Sequence, residues 1–262
     1  MFGAMTPGTF PPDRGFRDGD IGTHTSRTMM LEEISVLFSS LPVNTPPEGY
    51  RTAIIEDNLL GKRTQSTRRL SFQRLRELYA LDNKVPLFRL LRRLWDQDAN
   101  GRPLLALLTA LARDPLLRTT MDVIDELKEG DELSKQAMTD KLKEDTGGRL
   151  NPGILDKVVR NASASWTDSG HLRGRQRKFR QRVRPTPHVL AFALCLGHWQ
   201  GKRGDALFRT LWMEPLDCPM SELYDLAQSA RVLGLIGFTR SAEVVDVNLD
   251  ELLNTRTHVP LG

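Results

Sequence analysis

Long apolar runs, cysteine and aromatic residues are all scarce in this chain of 262 residues. The densest apolar stretches, Pro103 to Ala112 and Val189 to Leu196, fall well short of the roughly 20 residues that a bilayer-crossing helix needs, so no membrane span is expected. With two cysteines, Cys195 and Cys218, a disulfide framework has no material, and a reducing compartment is the expectation. The opening residues hold no cationic start followed by an apolar core, which argues against a secretory signal. A cytoplasmic protein is expected. Aromatics are 6% of residues, yet hydrophobic residues reach 39% and charged residues 27%, which excludes a collagenous or mostly disordered chain and predicts a soluble globular one. The length sits between one large and two small domains.

Catalytic signatures are equally thin. Gly197-His198-Trp199-Gln200-Gly201-Lys202-Arg203 has one residue too few between its glycines, and Arg where a phosphate-binding loop needs Ser or Thr to hold Mg²⁺. His188, Cys195 and His198 can share one helix face, but without a Cys-x-x-Cys pair they make a poor metal site. Asp114 with Glu126-Leu127-Lys128 has the residue types of a Mg²⁺-dependent nuclease core. Their helical spacing instead makes Asp114 a helix cap and leaves Glu126 and Lys128 solvated. The five histidines are scattered, and no Ser-His-Asp arrangement follows from their positions. No catalytic residue, metal or cofactor is expected, and the protein reads as a non-enzyme.

What the chain has is localised positive charge. The net charge is only +4, but Lys62, Arg63, Arg68, Arg69, Arg74, Arg76, Lys84, Arg89, Arg92 and Arg93 lie between Gly61 and Arg93 against only Glu77 and Asp82. Arg173, Arg175, Arg177, Lys178, Arg180, Arg182 and Arg184 lie between Gly170 and Arg184 with no acid among them. The remainder is net acidic. Cations concentrated in blocks attract polyanions through counterion release, and an acidic remainder limits indiscriminate adhesion. The competing reading, pairing with acids on neighbouring elements, is stronger for the first block, where Arg74 and Arg76 lie near Glu77.

Apolar spacing is mostly helical. Ser26 to Leu41 places Met30, Leu31, Ile34, Leu37, Phe38 and Leu41 on one stripe. Thr45-Pro46-Pro47-Glu48 reads as a capping box that opens a helix running to Leu60. Gly61-Lys62-Arg63-Thr64 then forms a turn into a helix from Ser66 to Leu81. A short glycine-containing turn between helices predicts a helix-turn-helix, with Gln65, Ser66, Thr67, Arg68 and Arg69 presented toward a major groove. Helices are also expected over Asn83 to Asp96, Pro103 to Arg113 and Asp114 to Lys128.

A second instance follows. A helix over Ser134 to Asp145, a Gly147-Gly148 turn and a helix from Asn151-Pro152 to Trp166 lead into a period of two over Lys178 to Arg184. The even positions there are all cations, which predicts a strand with one cationic face. Helix, turn, helix, basic hairpin is the order of a winged-helix module, with the hairpin over about 170–184. Beyond it, helices are expected from Thr186 to Trp199, Asp205 to Trp212 and Pro219 to Leu233. A small acidic hairpin is expected around Gly234 to Phe238 and Glu243 to Val247. The predicted class is all-α, a predominantly helical bundle with helix-turn-helix and winged-helix elements and one or two short β-hairpins. It divides into a flexible tail 1–24, a helical domain 25–130 and a second helical domain 131–262.

Thr23-His24-Thr25-Ser26-Arg27-Thr28-Met29-Met30-Leu31-Glu32-Glu33, Asp57-Asn58-Leu59-Leu60-Gly61-Lys62-Arg63-Thr64 and Arg74-Leu75-Arg76-Glu77-Leu78-Tyr79 resemble the BrxA family, a small component of the BREX bacterial phage-defence systems. Ser165-Trp166-Thr167-Asp168-Ser169-Gly170-His171-Leu172 and Ala191-Phe192-Ala193-Leu194-Cys195-Leu196-Gly197 are similar to the family's C-terminal half. The likeness runs from about Ile21 to Asn248 and carries no catalytic fingerprint. It implies a helical protein that binds double-stranded DNA with little sequence preference beside methyltransferase, ATPase and phosphatase-like partners. Members of that family labelled as inner-membrane proteins have no counterpart in the apolar runs here. Two alternatives stay open: a scaffold that docks a defence enzyme through its basic face, and an RNA-binding helical protein.

Overall fold

Proline and a short polar residue mark where the helices start. In the computed structural model, which describes residues 10–241 and 244–254, the elements run α1 (Leu31–Ser40), α2 (Pro47–Ile55), α3 (Gln65–Tyr79), α4 (Pro86–Trp95), α5 (Arg102–Arg113), α6 (Pro115–Thr119), α7 (Met121–Asp125), α8 (Lys135–Asp145) and α9 (Pro152–Asp168). The strands β1 (Leu172–Arg173) and β2 (Phe179–Arg180) follow, then α10 (Pro187–Trp199), α11 (Met220–Val232), β3 (Gly237–Arg240), β4 (Val245–Asn248) and α12 (Asp250–Leu253). Thr64, Asp114, Ser134, Asn151 and Thr186 each accept a first-turn amide, opening α3, α6, α8, α9 and α10. Proline stands in the first turn of α2, α4, α5, α6, α9 and α10, where its missing N–H has no partner to lose. No described helix is long and apolar enough to cross a membrane.

The chain divides after Val183 into two units, so the boundary expected near residue 130 falls inside the first. In that unit α5 is the central element: every residue from Leu104 to Ala112 is buried, the burial expected of a helix that is apolar all round. α3, α4, α6 and α9 pack on it. Phe88 meets Phe38 and Tyr50 edge-on, and Trp95 meets Phe38 the same way, an arrangement that adds about 0.5–1.5 kcal/mol per pair beyond area burial. In the second unit α10 plays the same part, with Val189 to Gly197 all buried. α11 and two 3-10 turns, Gly204–Arg209 and Leu211–Leu216, pack on it. The antiparallel β3–β4 pair registers Phe238 against Val247.

β1 and β2 pair antiparallel, with Leu172 opposite Arg180 and Arg173 opposite Phe179. The other edge of β2 is also occupied. The Arg180 amide donates to Asp131 O at 2.8 Å, the Leu133 amide to Lys178 O at 2.8 Å and the Gly130 amide to Arg180 O at 2.9 Å. The segment entering α8 therefore forms a third ribbon, and β2 lies in the middle. With α8 and α9 between the first ribbon and the hairpin, this is the helix, turn, helix, hairpin order expected of a winged-helix module.

Several expectations are corrected. Of the stretch 1–24 expected to be mobile, residues 1–9 lie outside the described residues, while Phe10, Phe16, Thr23 and His24 are buried. The capping box at Thr45 does not form, because its hydroxyl donates to Pro42 O at 2.7 Å and Pro46 stands at the cap. α2 ends at Ile55 rather than Leu60. The Leu59 amide turns back to Ala53 O, and Asn58 and Gly61 take left-handed φ of 54° and 62°. The short helix-turn-helix turn is thus a longer loop from Glu56 to Thr64. The helix expected from Asp114 to Lys128 breaks at Thr120 into α6 and α7, and Asp205 to Trp212 forms 3-10 turns. The strand expected over Lys178 to Arg184 keeps only Phe179 and Arg180. Of the acidic hairpin, Glu243 lies outside the described residues.

Candidate nucleic-acid interface

A helix leaves its last carbonyls without intrahelical donors, and in this molecule arginines supply many of them. Arg68 donates to Ile55 O at the end of α2 and to Lys62 O in the loop beyond, both at 3.3 Å. Arg92 reaches Phe38 O and Leu41 O at the end of α1, both at 2.9 Å, and stacks on Phe38. Arg102 donates to Trp95 O of α4, Arg113 to Glu77 O of α3 and Arg118 to Leu111 O of α5. A guanidinium suits this position because it brings several donors in one plane and a positive charge to the negative end of the helix dipole.

Arg180 belongs to the same group. It is 5% exposed, and its Nε donates to Ile124 O at the end of α7 at 3.2 Å while the guanidinium also reaches His171 O. The expected assignment of Arg180 to a phosphate-facing surface is therefore wrong. As the middle ribbon of its small sheet, β2 turns this side chain toward α7 rather than toward water. Arg68 is likewise withdrawn from the groove-facing set by its two carbonyls. Lys62 is paired with Glu33 at 2.9 Å. Arg177 is exposed and bonded to Glu132, with Nε to Oε1 at 2.8 Å. Lys178 is half-buried and donates to Thr167 Oγ1 at 2.6 Å, which props the hairpin against the last turn of α9. Thr67 is held by Thr64 through its amide and hydroxyl.

What remains in solvent is a smaller set. Arg173 and Arg175 are exposed on the hairpin and have no ion-pair partner among the described residues, and Arg182 is exposed at its exit. Arg184 is exposed too, as the first residue of the second unit. Along α3, Gln65, Ser66, Arg69, Gln73 and Arg76 form a solvent stripe at helical spacing, with Arg63 exposed just before it. Among the exposed cations outside the expected set are Arg76, and Lys157 and Arg160 on the outer face of α9, the last 3.5 Å from Asp156. Their signal was the helical spacing itself, which sets Lys157 and Arg160 off the apolar stripe of α9.

Asp168 closes α9 beside the hairpin. Partial burial raises its carboxyl above the ordinary value, Lys178 opposes that shift, and Glu33 adds to it. Glu33 is the carboxylate that holds Lys62.

Beneath this surface lies an arrangement that sequence spacing did not reveal. His24 Nδ1 is 2.8 Å from Asp114 Oδ2 and its Nε2 is 2.8 Å from Ser165 Oγ. All three residues are buried, at 0%, 1% and 0% exposure. The connectivity is that of a hydrolase triad, but Ser165 Oγ also accepts the Met29 amide and donates to Asn161 O. Asp114 caps α6 through the amides of Leu116 and Leu117, as its position before Pro115 predicts. Burial pushes its carboxyl up, but His24 and the converging amides outweigh that and hold it below the usual carboxylate range. The network pins the 22–29 segment across α9, where the Asn161 side chain also donates to His24 O. Among the described residues no group of three or more metal-ligating side chains forms. No protein-family model matches this chain, and no curated protein matches it.

Proposed function

We propose that this protein is a non-enzymatic accessory protein that grips double-stranded DNA mainly through phosphate contacts, with little sequence preference. We further propose, on the likeness to the BrxA family, that it serves a BREX phage-defence system beside a methyltransferase, an ATPase and a phosphatase-like partner. The observation that carries the DNA reading is the pair of guanidinium groups, Arg173 and Arg175, left in water on a hairpin that follows two helices in winged-helix order. In the first unit Arg68, Arg92, Arg102, Arg113, Arg118 and Arg180 are drawn to carbonyls, whereas Arg173 and Arg175, like Arg63, Arg69 and Arg76 on the α3 side, are left outside. In this geometry a hairpin lies along one phosphate rail while a helix face, here the Lys157 and Arg160 side of α9, approaches a groove.

Salt dependence tests it. All seven hairpin cations in contact would give a slope of log K on log salt near −6, at about −0.9 per phosphate neutralised. With Arg180 buried and Arg177 and Lys178 engaged, Arg173 and Arg175 supply about −2, or about −3.5 if Arg63 and Arg69 also make contact. The double variant Arg173→Ala, Arg175→Ala flattens the slope by about 2 and weakens binding to unrelated duplexes alike, because phosphate contacts carry no sequence information. A wild-type slope shallower than about −1 removes the electrostatic basis. Co-purification with an enzyme from nuclease-treated lysate, with no mobility shift on duplex DNA, moves the reading to a protein scaffold. Preference for duplex RNA in competition moves it to RNA.

A further inference from the structure

Where the hairpin leans on the start of α8, it encloses a cleft of about 410 Å³ whose walls include Ser134, Lys135, Ser163, Gln176, Arg177 and Lys178. Its lining carboxylate, Glu132, is already occupied by Arg177. Two ammonium groups from different elements also line it, Lys135 from the first turn of α8 and, from the hairpin, Lys178, whose Nζ also donates to Thr167 Oγ1 at 2.6 Å. Burial draws Lys178 below its ordinary value, Asp168 opposes this, and Lys135 lowers it further. Two cations lining one cleft favour an anionic occupant.

The start of α8 adds donors. Ser134 Oγ accepts the Ala137 amide, which leaves the amides of Lys135 and Gln136 at the positive end of an 11-residue helix without an intrahelical acceptor. The volume falls within the range of small-ligand pockets, well above what a bare phosphate fills.

We propose that this cleft is a binding site for a phosphate monoester of mononucleotide size, its anionic group held between Lys135, Lys178 and the first-turn amides of α8. The site stands on the cleft alone, whether or not the hairpin grips a DNA backbone. The phosphate can arrive on a free nucleotide or on the end of a DNA strand, and the chemistry recognised is the same.

The test is titration calorimetry and amide NMR on the full chain, with deoxyadenosine monophosphate, deoxyadenosine and inorganic phosphate as probes and no duplex present. The expected result is sub-millimolar binding of the monophosphate, at least about tenfold tighter than the nucleoside, with shifts at Lys135, Gln136 and Lys178. Lys135→Glu, an exposed change that leaves the melting temperature unaltered, weakens binding at least about tenfold. Lys178→Gln weakens it in the same direction. An end-phosphorylated duplex reproduces the Lys135 and Gln136 shifts if the phosphate comes on a DNA end, whereas only the free nucleotide does so if it comes as a small molecule. No binding up to about 5 mM, equal binding of the nucleoside, or full binding by Lys135→Glu overturns the proposal.

Discussion

An arginine whose guanidinium sits on a backbone carbonyl and one whose guanidinium sits in water leave different things behind when removed. Truncating Arg180 removes its bonds to the carbonyls of Ile124, His171 and Gln181, which keep only backbone donors where they have one, the Leu127 amide on Ile124 O and the Gln181 amide on His171 O, and each hydrogen bond to a charged group contributes about 1.5–3 kcal/mol. Arg180→Ala is therefore expected to lower stability by about 2–4 kcal/mol in chemical denaturation while leaving the salt slope of the folded protein unchanged. Arg175→Ala is expected to do the reverse, with an unaltered denaturation midpoint and a slope flatter by about 0.9. Residue counting cannot separate these classes, because the same side chain caps a helix or meets a phosphate according to which way its backbone turns it. Asp114 was legible as a cap from the proline after it. Its bond to His24 was not, since the partners lie 90 positions apart. Asp114→Asn removes one partner of a buried pair and should cost about 3–5 kcal/mol. Because the Asp114 carboxyl is depressed in the folded state, its contribution is complete above the unfolded value near 3.9 and is lost as pH falls through the lower folded value. Acid unfolding followed by circular dichroism should show that loss below pH of about 4, and the Asn variant should lack it.

At the scale of elements, starts were far easier to read than ends. Thr64, Asp114, Ser134, Asn151 and Thr186 announce their helices because a cap is a local interaction between a side chain and an amide two or three residues on. The end of α2 depends instead on a reversal through Asn58 and on Arg68 reaching back to Ile55 O, a contact made only once α3 is docked. The hairpin was legible as a hairpin, but its face was not. Alternation over Lys178 to Arg184 assumes a strand long enough to have one wet side, whereas the paired portion is two residues flanked by ribbons on both edges. The hairpin tip turns on Gly174, whose φ of 107° lies in the left-handed region and whose added Cβ would stand 2.2 Å from Arg177 O. Gly174→Ala is expected to cost about 1–3 kcal/mol of hairpin stability. Hydrogen exchange should show faster exchange at Arg180 and Gln181, and duplex affinity should fall as Arg173 and Arg175 lose their common placement.

At the scale of the molecule, the clue to two units was present in the two densest apolar stretches of the sequence. Each became a helix buried on all sides, α5 in the first unit and α10 in the second. A helix with no solvent face needs a complete shell of neighbours, so two such helices far apart in sequence imply two shells. The boundary expected near residue 130 failed because α8 and α9 complete the first shell: α9 packs on α5 and on the Thr23–Thr25 turn, and α8 packs on α6. A chain ending at Val183 retains the whole of that shell, the hairpin with Arg173, Arg175 and Arg182, and the α3 stripe. It is expected to unfold in one cooperative transition and to bind duplex DNA within about threefold of the full chain, with a salt slope flatter by no more than about 1, the share of Arg184. Calorimetric melting and a salt-titrated binding assay on the shortened chain measure both. A chain ending near residue 130 should fare worse, since it exposes the α5 face that α9 covers and removes the hairpin altogether. If the fragment ending at Val183 folds but binds no DNA, the grip belongs to the second unit, and the exposed hairpin arginines are not its source.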